Sequence, residues 1–129
     1  MNIPGDLFYT KDHEWARIEG DKAYVGITDY AQSSLGDITF VELPKLGDVL
    51  SQAKCCATVE SVKAASDVFS PFSGKVIAVN SELTAHPELV NKSPYKEGYF
   101  FVLEFSNETE KVNLMDAKSY QAYVEGLAK

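Results

Sequence analysis

Between Leu7 and Val90 the apolar residues come in short runs, rich in β-branched and aromatic side chains and broken every few positions by Gly, Pro or Asp. Punctuation of this kind predicts many short strands and an all-β core. Residues 15–18 and 23–27 flank Glu19-Gly20-Asp21 and read as a hairpin. A short helix then interrupts. Asp29 with Gln32 fits a capping box, each side chain able to satisfy a free backbone N–H, and Gly36 suits a left-handed stop. Strands resume at residues 38–43, up to Pro44, and again at 47–50, 57–61, 68–70 and 75–79. A faint symmetry surrounds position 63, with Leu46-Gly47-Asp48-Val49 before it and Ser73-Gly74-Lys75-Val76 after it.

The pattern changes towards the C-terminus. Residues 98–105 form an aromatic-rich final strand, and from Thr109 onward the chain reads as helical. Tyr120, Tyr123, Val124 and Leu127 recur at i, i+3, i+4 and i+7, the stripe of an amphipathic helix laid against the sheet. No linker or low-complexity tract separates these parts, so residues 1–129 are expected to form one domain, with the N-terminal hairpin and the C-terminal helix packed on its core.

Charge narrows the choice of partners. With 12 basic and 19 acidic side chains the net charge is -7, the wrong sign for nucleic acid or an anionic membrane, which are bound through clustered Lys and Arg. A basic face on another protein fits better. No run approaches the ~20 apolar residues of a spanning helix, and MNIPGDLFYT lacks the basic and apolar segments of a secretion signal, so a soluble, unsecreted chain is expected. Cys55 and Cys56 are adjacent, where a bridge would strain the backbone and close almost no loop. Alternation along a strand predicts one thiol in the core and its neighbour outward, without the base or helix N-terminus that a thiol enzyme needs. Neither His13 nor His86 has a companion at i+4 or a Cys-x-x-Cys nearby, so no metal is assigned and His13 reads as a hydrogen-bonded structural histidine.

One segment carries more. In Val59-Glu60-Ser61-Val62-Lys63-Ala64-Ala65-Ser66-Asp67-Val68-Phe69-Ser70-Pro71, two strand-like runs flank a break at residues 62–65, which places Lys63 at a hairpin tip. By position alone a lysine there is an ordinary solvated charge. Its context is less ordinary. Glu60-Ser61-Val62-Lys63-Ala64 occurs together with Lys11-Asp12-His13-Glu14-Trp15, Val25-Gly26-Ile27-Thr28-Asp29-Tyr30-Ala31-Gln32, Leu35-Gly36-Asp37, Val41-Glu42-Leu43-Pro44, Ser73-Gly74 and Pro87-Glu88-Leu89-Val90-Asn91. In order and spacing this set resembles the glycine cleavage H proteins from Leu7 to the terminal helix. Tyr99 stands where that family commonly has Trp, Asp12 replaces a frequent Glu, and the cysteine pair is not a family feature.

The resemblance implies a flattened β-barrel or sandwich of the lipoyl-carrier type, with short helices and a C-terminal helix, and a carrier rather than an enzyme. It implies lipoate joined by an amide to Lys63, on an arm whose stem and chain together reach ~14 Å. The implied partners are a pyridoxal-phosphate glycine decarboxylase that loads an aminomethyl group, a tetrahydrofolate-dependent aminomethyltransferase that unloads it, dihydrolipoyl dehydrogenase and lipoate-attaching enzymes. Glu14 and Asp67 resemble family positions that line a cleft for the folded-back arm, where a carboxylate would hold the amine. A free monomer is expected, cytoplasmic if bacterial and in the mitochondrial matrix if a eukaryotic mature chain. Competing readings are an H-like protein that mainly relays lipoyl groups, a lipoyl or biotinyl domain of a multienzyme complex, a small thiol enzyme using Cys55 or Cys56, and an unmodified structural β-domain. The biotinyl case is disfavoured by Val62 and Ala64, where such sites carry Met.

Overall fold

The structure is a computed structural model that describes residues 2–127; residues 1, 128 and 129 of the expected domain lie outside the described residues. Its first hairpin forms where the turn residues demand. Gly20, at φ +67°, leads a two-residue turn between Glu19 and Lys22, so β2 (Glu14–Glu19) and β3 (Lys22–Ile27) pair antiparallel with Trp15 opposite Gly26. Only glycine fits beneath this tryptophan, because a Cβ on Gly26 would stand 2.8 Å from the indole. Trp15 is fully buried and its ring N–H donates to the carbonyls of Ile27 and Pro94, both at 3.0 Å.

Helix α1 (Asp29–Leu35) is capped one residue earlier than the sequence suggests. The Thr28 backbone N–H is held by the His13 carbonyl, which keeps Thr28 extended and lets its hydroxyl accept from the N–H of Ala31. Asp29 and Gln32 instead bond to each other inside the first turn. Gly36 ends the helix at φ +82° and ψ −157°, a positive-φ conformation open to glycine but not the left-handed helical stop expected of it.

Two antiparallel sheets follow, and no closed barrel is formed among the described residues: of the two expected forms, the sandwich is the one present. One sheet has the order β1 (Phe8–Tyr9), β2, β3, β9 (Phe101–Phe105), β8 (Gly74–Val79), β5 (Val49–Leu50); the other has β4 (Ile38–Glu42), β6 (Cys55–Ser61), β7 (Ala65–Phe69). Their facing side chains share one core, Val41, Val59 and Val68 from the smaller sheet meeting Ala16, Val25, Val76 and Leu103 from the larger. Two helices of one turn each, α2 (Glu82–Ala85) and α3 (Leu89–Lys92), occupy a stretch too short to show helical periodicity, and they bury Leu83 and Val90.

The C-terminal part is less uniform than a single helix. A 3-10 turn (Glu108–Asn113) gives way to extended backbone, where Met115 and Tyr9 exchange N–H to carbonyl bonds of 2.8 Å, before α4 (Ala117–Leu127) starts under an Asp116 cap. Tyr120 and Val124 are buried, Tyr123 is half-buried, and Leu127 at the end of the stripe is 48% exposed. Tyr120 stacks on Tyr9 with ring centres 4.6 Å apart, in a second apolar cluster that also holds Trp15.

Gly74 is the tightest point of the larger sheet. A Cβ there would lie 2.2 Å from the Glu104 carbonyl oxygen and 2.8 Å from the Phe105 Cα, backbone atoms of the neighbouring strand that cannot swing aside. We expect Gly74→Ala to lower unfolding free energy by about 2 to 4 kcal/mol in urea titrations, by overpacking. Gly5→Ala, with nothing within 4 Å, should stay within about 0.5 kcal/mol of the wild type; equal stability of the two variants would contradict the close approach.

Candidate functional site

The β6–β7 hairpin closes without the Asn-Gly or Asp-Gly pair that tight turns favour, and Ser61 supplies the missing constraint. The Ser61 N–H donates to the Ala64 carbonyl at 2.7 Å, while its hydroxyl oxygen accepts from the N–H groups of Ala64 (3.1 Å) and Lys63 (3.4 Å). A serine used this way imitates a backbone turn. The Val62 N–H donates to the Asp37 carbonyl, which ties the tip to the segment after α1. Lys63 is exposed at the apex between exposed Val62 and Ala64, and its stem passes Gly36, where a Cβ would stand 3.6 Å from the lysine Cε. Among the described residues it makes no ion pair.

At the other end of β7 lies a cleft of about 520 Å³. Its walls include Lys11, Glu14, Phe69, Pro71, Met115 and Tyr123. Glu14 is only 1% exposed. Its carboxylate accepts from the Thr10 hydroxyl and from the Phe69 backbone N–H at 3.1 Å. Burial raises its pKa to about 7, against the opposing pull of these two hydrogen bonds. The turn that presents it depends on His13, which sits at φ +71°, a conformation uncommon for a residue with a side chain. An aromatic cage holds that strain: His13 lies 4.6 Å from the Tyr30 ring centre, and its Nδ1 is 2.8 Å from the Tyr120 hydroxyl, itself bonded to Thr28. Burial lowers the His13 pKa. His13 is thus the hydrogen-bonded structural histidine expected of it, whereas His86 is exposed beside Glu88.

Asp67 is exposed on β7 opposite Thr58 and is not among the residues lining the cleft. It does share a strand face with Ala65 and Phe69, and Phe69 forms part of the wall. The cleft residues that sequence reasoning missed include Leu114 and Met115, and Tyr123, which reads in sequence only as helix packing; the Tyr123 hydroxyl donates to the Lys11 carbonyl at 3.0 Å. The extended link ahead of α4 brings Leu114 and Met115 there, and α4 itself brings Tyr123.

The cysteines depart from simple alternation. Ala57 turns inward in step with Val59, which by alternation would turn Cys55 inward too; the β6–β7 register shifts between Cys55 and Ala57 instead, leaving Cys55 exposed and Cys56 half-buried. Their thiols contact the carbonyls of Ala57 and Val68, and burial pushes Cys56 up to about 12. Among the described residues neither thiol hydrogen-bonds to a histidine or carboxylate, and the charge of Glu14 pushes the Cys56 thiol further from ionisation.

Because the Glu14 pKa lies near 7 in the folded chain and 4.5 in ordinary surroundings, the native state resists its ionisation. Below about pH 4.5 both states hold the proton; between there and about pH 7 only the unfolded chain releases it, so stability falls as pH rises. Glu14→Gln removes this dependence. Relative to the variant, the wild type should lose roughly 3 kcal/mol across that window and no more above it, measured by chemical denaturation at stepped pH. Parallel pH profiles would rule out a buried, titrating Glu14.

Comparison with known proteins agrees with this architecture. A profile of the family described as Glycine cleavage H-protein matches residues 7–126. The glycine cleavage system H protein of Endomicrobium trichonymphae is 51% identical over 121 residues, covering 94% of this chain and 98% of that one. That of Symbiobacterium thermophilum is 52% identical over 122 residues, with 95% of each chain covered. The crystal structure of a glycine cleavage system H protein from Mycobacterium marinum superposes with a TM-score of 0.84 at 37% identity, over 93% of this chain and 97% of the other. By sequence along nearly its whole length and by fold, this chain belongs to the glycine cleavage H-protein family.

Proposed function

We propose that the chain serves as the lipoyl carrier of a glycine cleavage system, with Lys63 as the attachment point and the Glu14 cleft as the resting place of the arm. The observation that carries this reading is the course of β7. It starts beside the Lys63 tip and ends at Phe69 in the cleft wall, with Ala65, Asp67 and Phe69 along one face. From Ala65 to Phe69 a strand covers ~13 Å, close to the ~14 Å reach of a lipoyl-lysine arm.

Each residue then has a task. Ser61 holds the tip rigid, so that motion is confined to the flexible lysine stem. Lipoate, when attached, supplies a dithiolane that accepts an aminomethyl unit and a pair of electrons. Glu14, ionised above about pH 7, offers a carboxylate to a cationic amine at the far end of the arm, and Asp67 offers a second along the track. The apolar flank of Phe69, Leu114 and Met115 limits water around that amine. The chain provides a handle and a shelter, and the reactions belong to its partners: the decarboxylase, the aminomethyltransferase, the dehydrogenase and the lipoate-attaching enzymes. No helix among the described residues is long and apolar enough to cross a membrane, and the bacterial origin of the relatives favours the cytoplasmic alternative.

Co-expression with a lipoate-attaching enzyme, followed by intact mass and peptide mapping, tests the assignment. A single lipoyl increment on Lys63, absent from Lys63→Arg, is the expected result. No increment, or one spread over other lysines, would remove Lys63 from the role.

A further inference from the structure

The smaller sheet shows a core-type residue in an unusual place. From buried Ile38, strict alternation along β4 would turn Phe40 inward and Val41 outward. The structure does the reverse: the register against β6 slips between Ile38 and Phe40, so Val41 is 3% exposed and Phe40 is 46% exposed. Such a bulge re-aims a side chain, and bulges gather beside functional sites. This one puts Phe40 directly across from Glu60, with Ala65 beyond, in a row that lies three residues back from Lys63. The next row on the same face is Glu42, Thr58 and Asp67.

We infer that this outer face, centred on Phe40 and edged by Glu42 and Glu60, is the docking surface for the glycine decarboxylase, whose active site receives the Lys63 arm. The inference rests on the carrier reading above. A phenyl ring held out of the core is a suitable anchor for a partner's apolar socket. The carboxylates beside it are exposed, and among the described residues they make no ion pair. With a net charge of -7 over the whole chain, they call for a socket rimmed by Lys or Arg. The arm can reach an enzyme seated on this face. The Phe40–Glu60 row lies ~10 Å along the strand from Lys63, inside the ~14 Å span of the arm, so an enzyme seated there has the mouth of its active site within the arm's range.

The test uses the full-length lipoylated chain, its loading on Lys63 confirmed by mass, as substrate for the glycine decarboxylase. Phe40→Thr keeps a residue suited to an edge strand. It should raise the KM for the carrier about tenfold with kcat unchanged, the signature of lost binding shared by ground and transition states. Glu42→Gln should raise KM at low salt and flatten its salt dependence. Val49→Thr, which alters a residue 81% exposed on the other sheet, should change neither. A KM for Phe40→Thr within about twofold of the wild type, in protein with an unaltered unfolding midpoint, would overturn the docking surface. Slower lipoate attachment with an unchanged decarboxylase KM would also overturn it, giving the face to the attaching enzyme instead. Absence of a lipoyl group on the wild type would overturn both this inference and the carrier reading, whereas loaded protein with unchanged kinetics would overturn this inference alone.

Discussion

The hydrogen bond from the Phe69 N–H to the Glu14 carboxylate joins the two sheets at the point where the cleft opens. Glu14 begins β2 in the larger sheet, and Phe69 ends β7 in the smaller one. A backbone N–H at that junction must find a partner or lose free energy equivalent to a missing hydrogen bond. A buried carboxylate answers the need, but at the cost of its own desolvation, which is why its pKa climbs to about 7. The feature that closes the sandwich here is therefore also the one that leaves a titratable group in the cleft. Thr10 and the strained turn at His13 hold it in place, and the aromatic cage from α1 and α4 holds the turn. Distant parts of the chain converge on one carboxylate.

Much of this fold was legible because local chemistry and global structure agree. Gly20 made the first hairpin readable, the alternation of residues 57–61 did so for β6, and the spacing of Tyr120 and Val124 marked the buried side of α4. Failures came where a long-range contact decided a local outcome. The cap of α1 moved to Thr28 because His13 holds its backbone from another strand. The helical region after Thr109 broke in two because Met115 pairs with Tyr9, a residue more than a hundred positions away. Bulges hid two more facts: that Phe40 faces solvent, and that Cys55 is exposed where alternation from Val59 and Ala57 would turn it inward. Residue-type alternation cannot announce an inserted residue.

The site divides in the same way. Lys63 was readable as a hairpin tip from the small and polar residues around it, and its significance came from the motif context rather than from any physical anomaly. The cleft was not readable. Glu14 came to notice through its motif, yet the wall opposite is built by Leu114, Met115 and Tyr123, which carry no chemical signal of their own. Asp67 stands between these cases, on the β7 face it shares with Phe69 but outside the cleft lining.

A carrier has to satisfy opposing requirements, and in the proposed assignment the hairpin separates them in space. To be handed over, the arm must leave the body easily, which favours an exposed tip with few contacts. To protect its load, the arm must return to a sheltered place, which favours a cleft with buried polar groups. Placing both at one end would let the contacts that shelter the load also impede its delivery. Here a stiff strand of five residues lies between them, and only the flexible lysine stem and its attachment have to swing. Because Glu14 gains its charge near neutrality, its attraction for a cation is weaker than that of a permanently ionised pair would be, so shelter need not become a trap. In the proposed assignment, the geometry of β7 and the desolvation of Glu14 together allow holding and release to be balanced, with neither depending on a large movement of the fold.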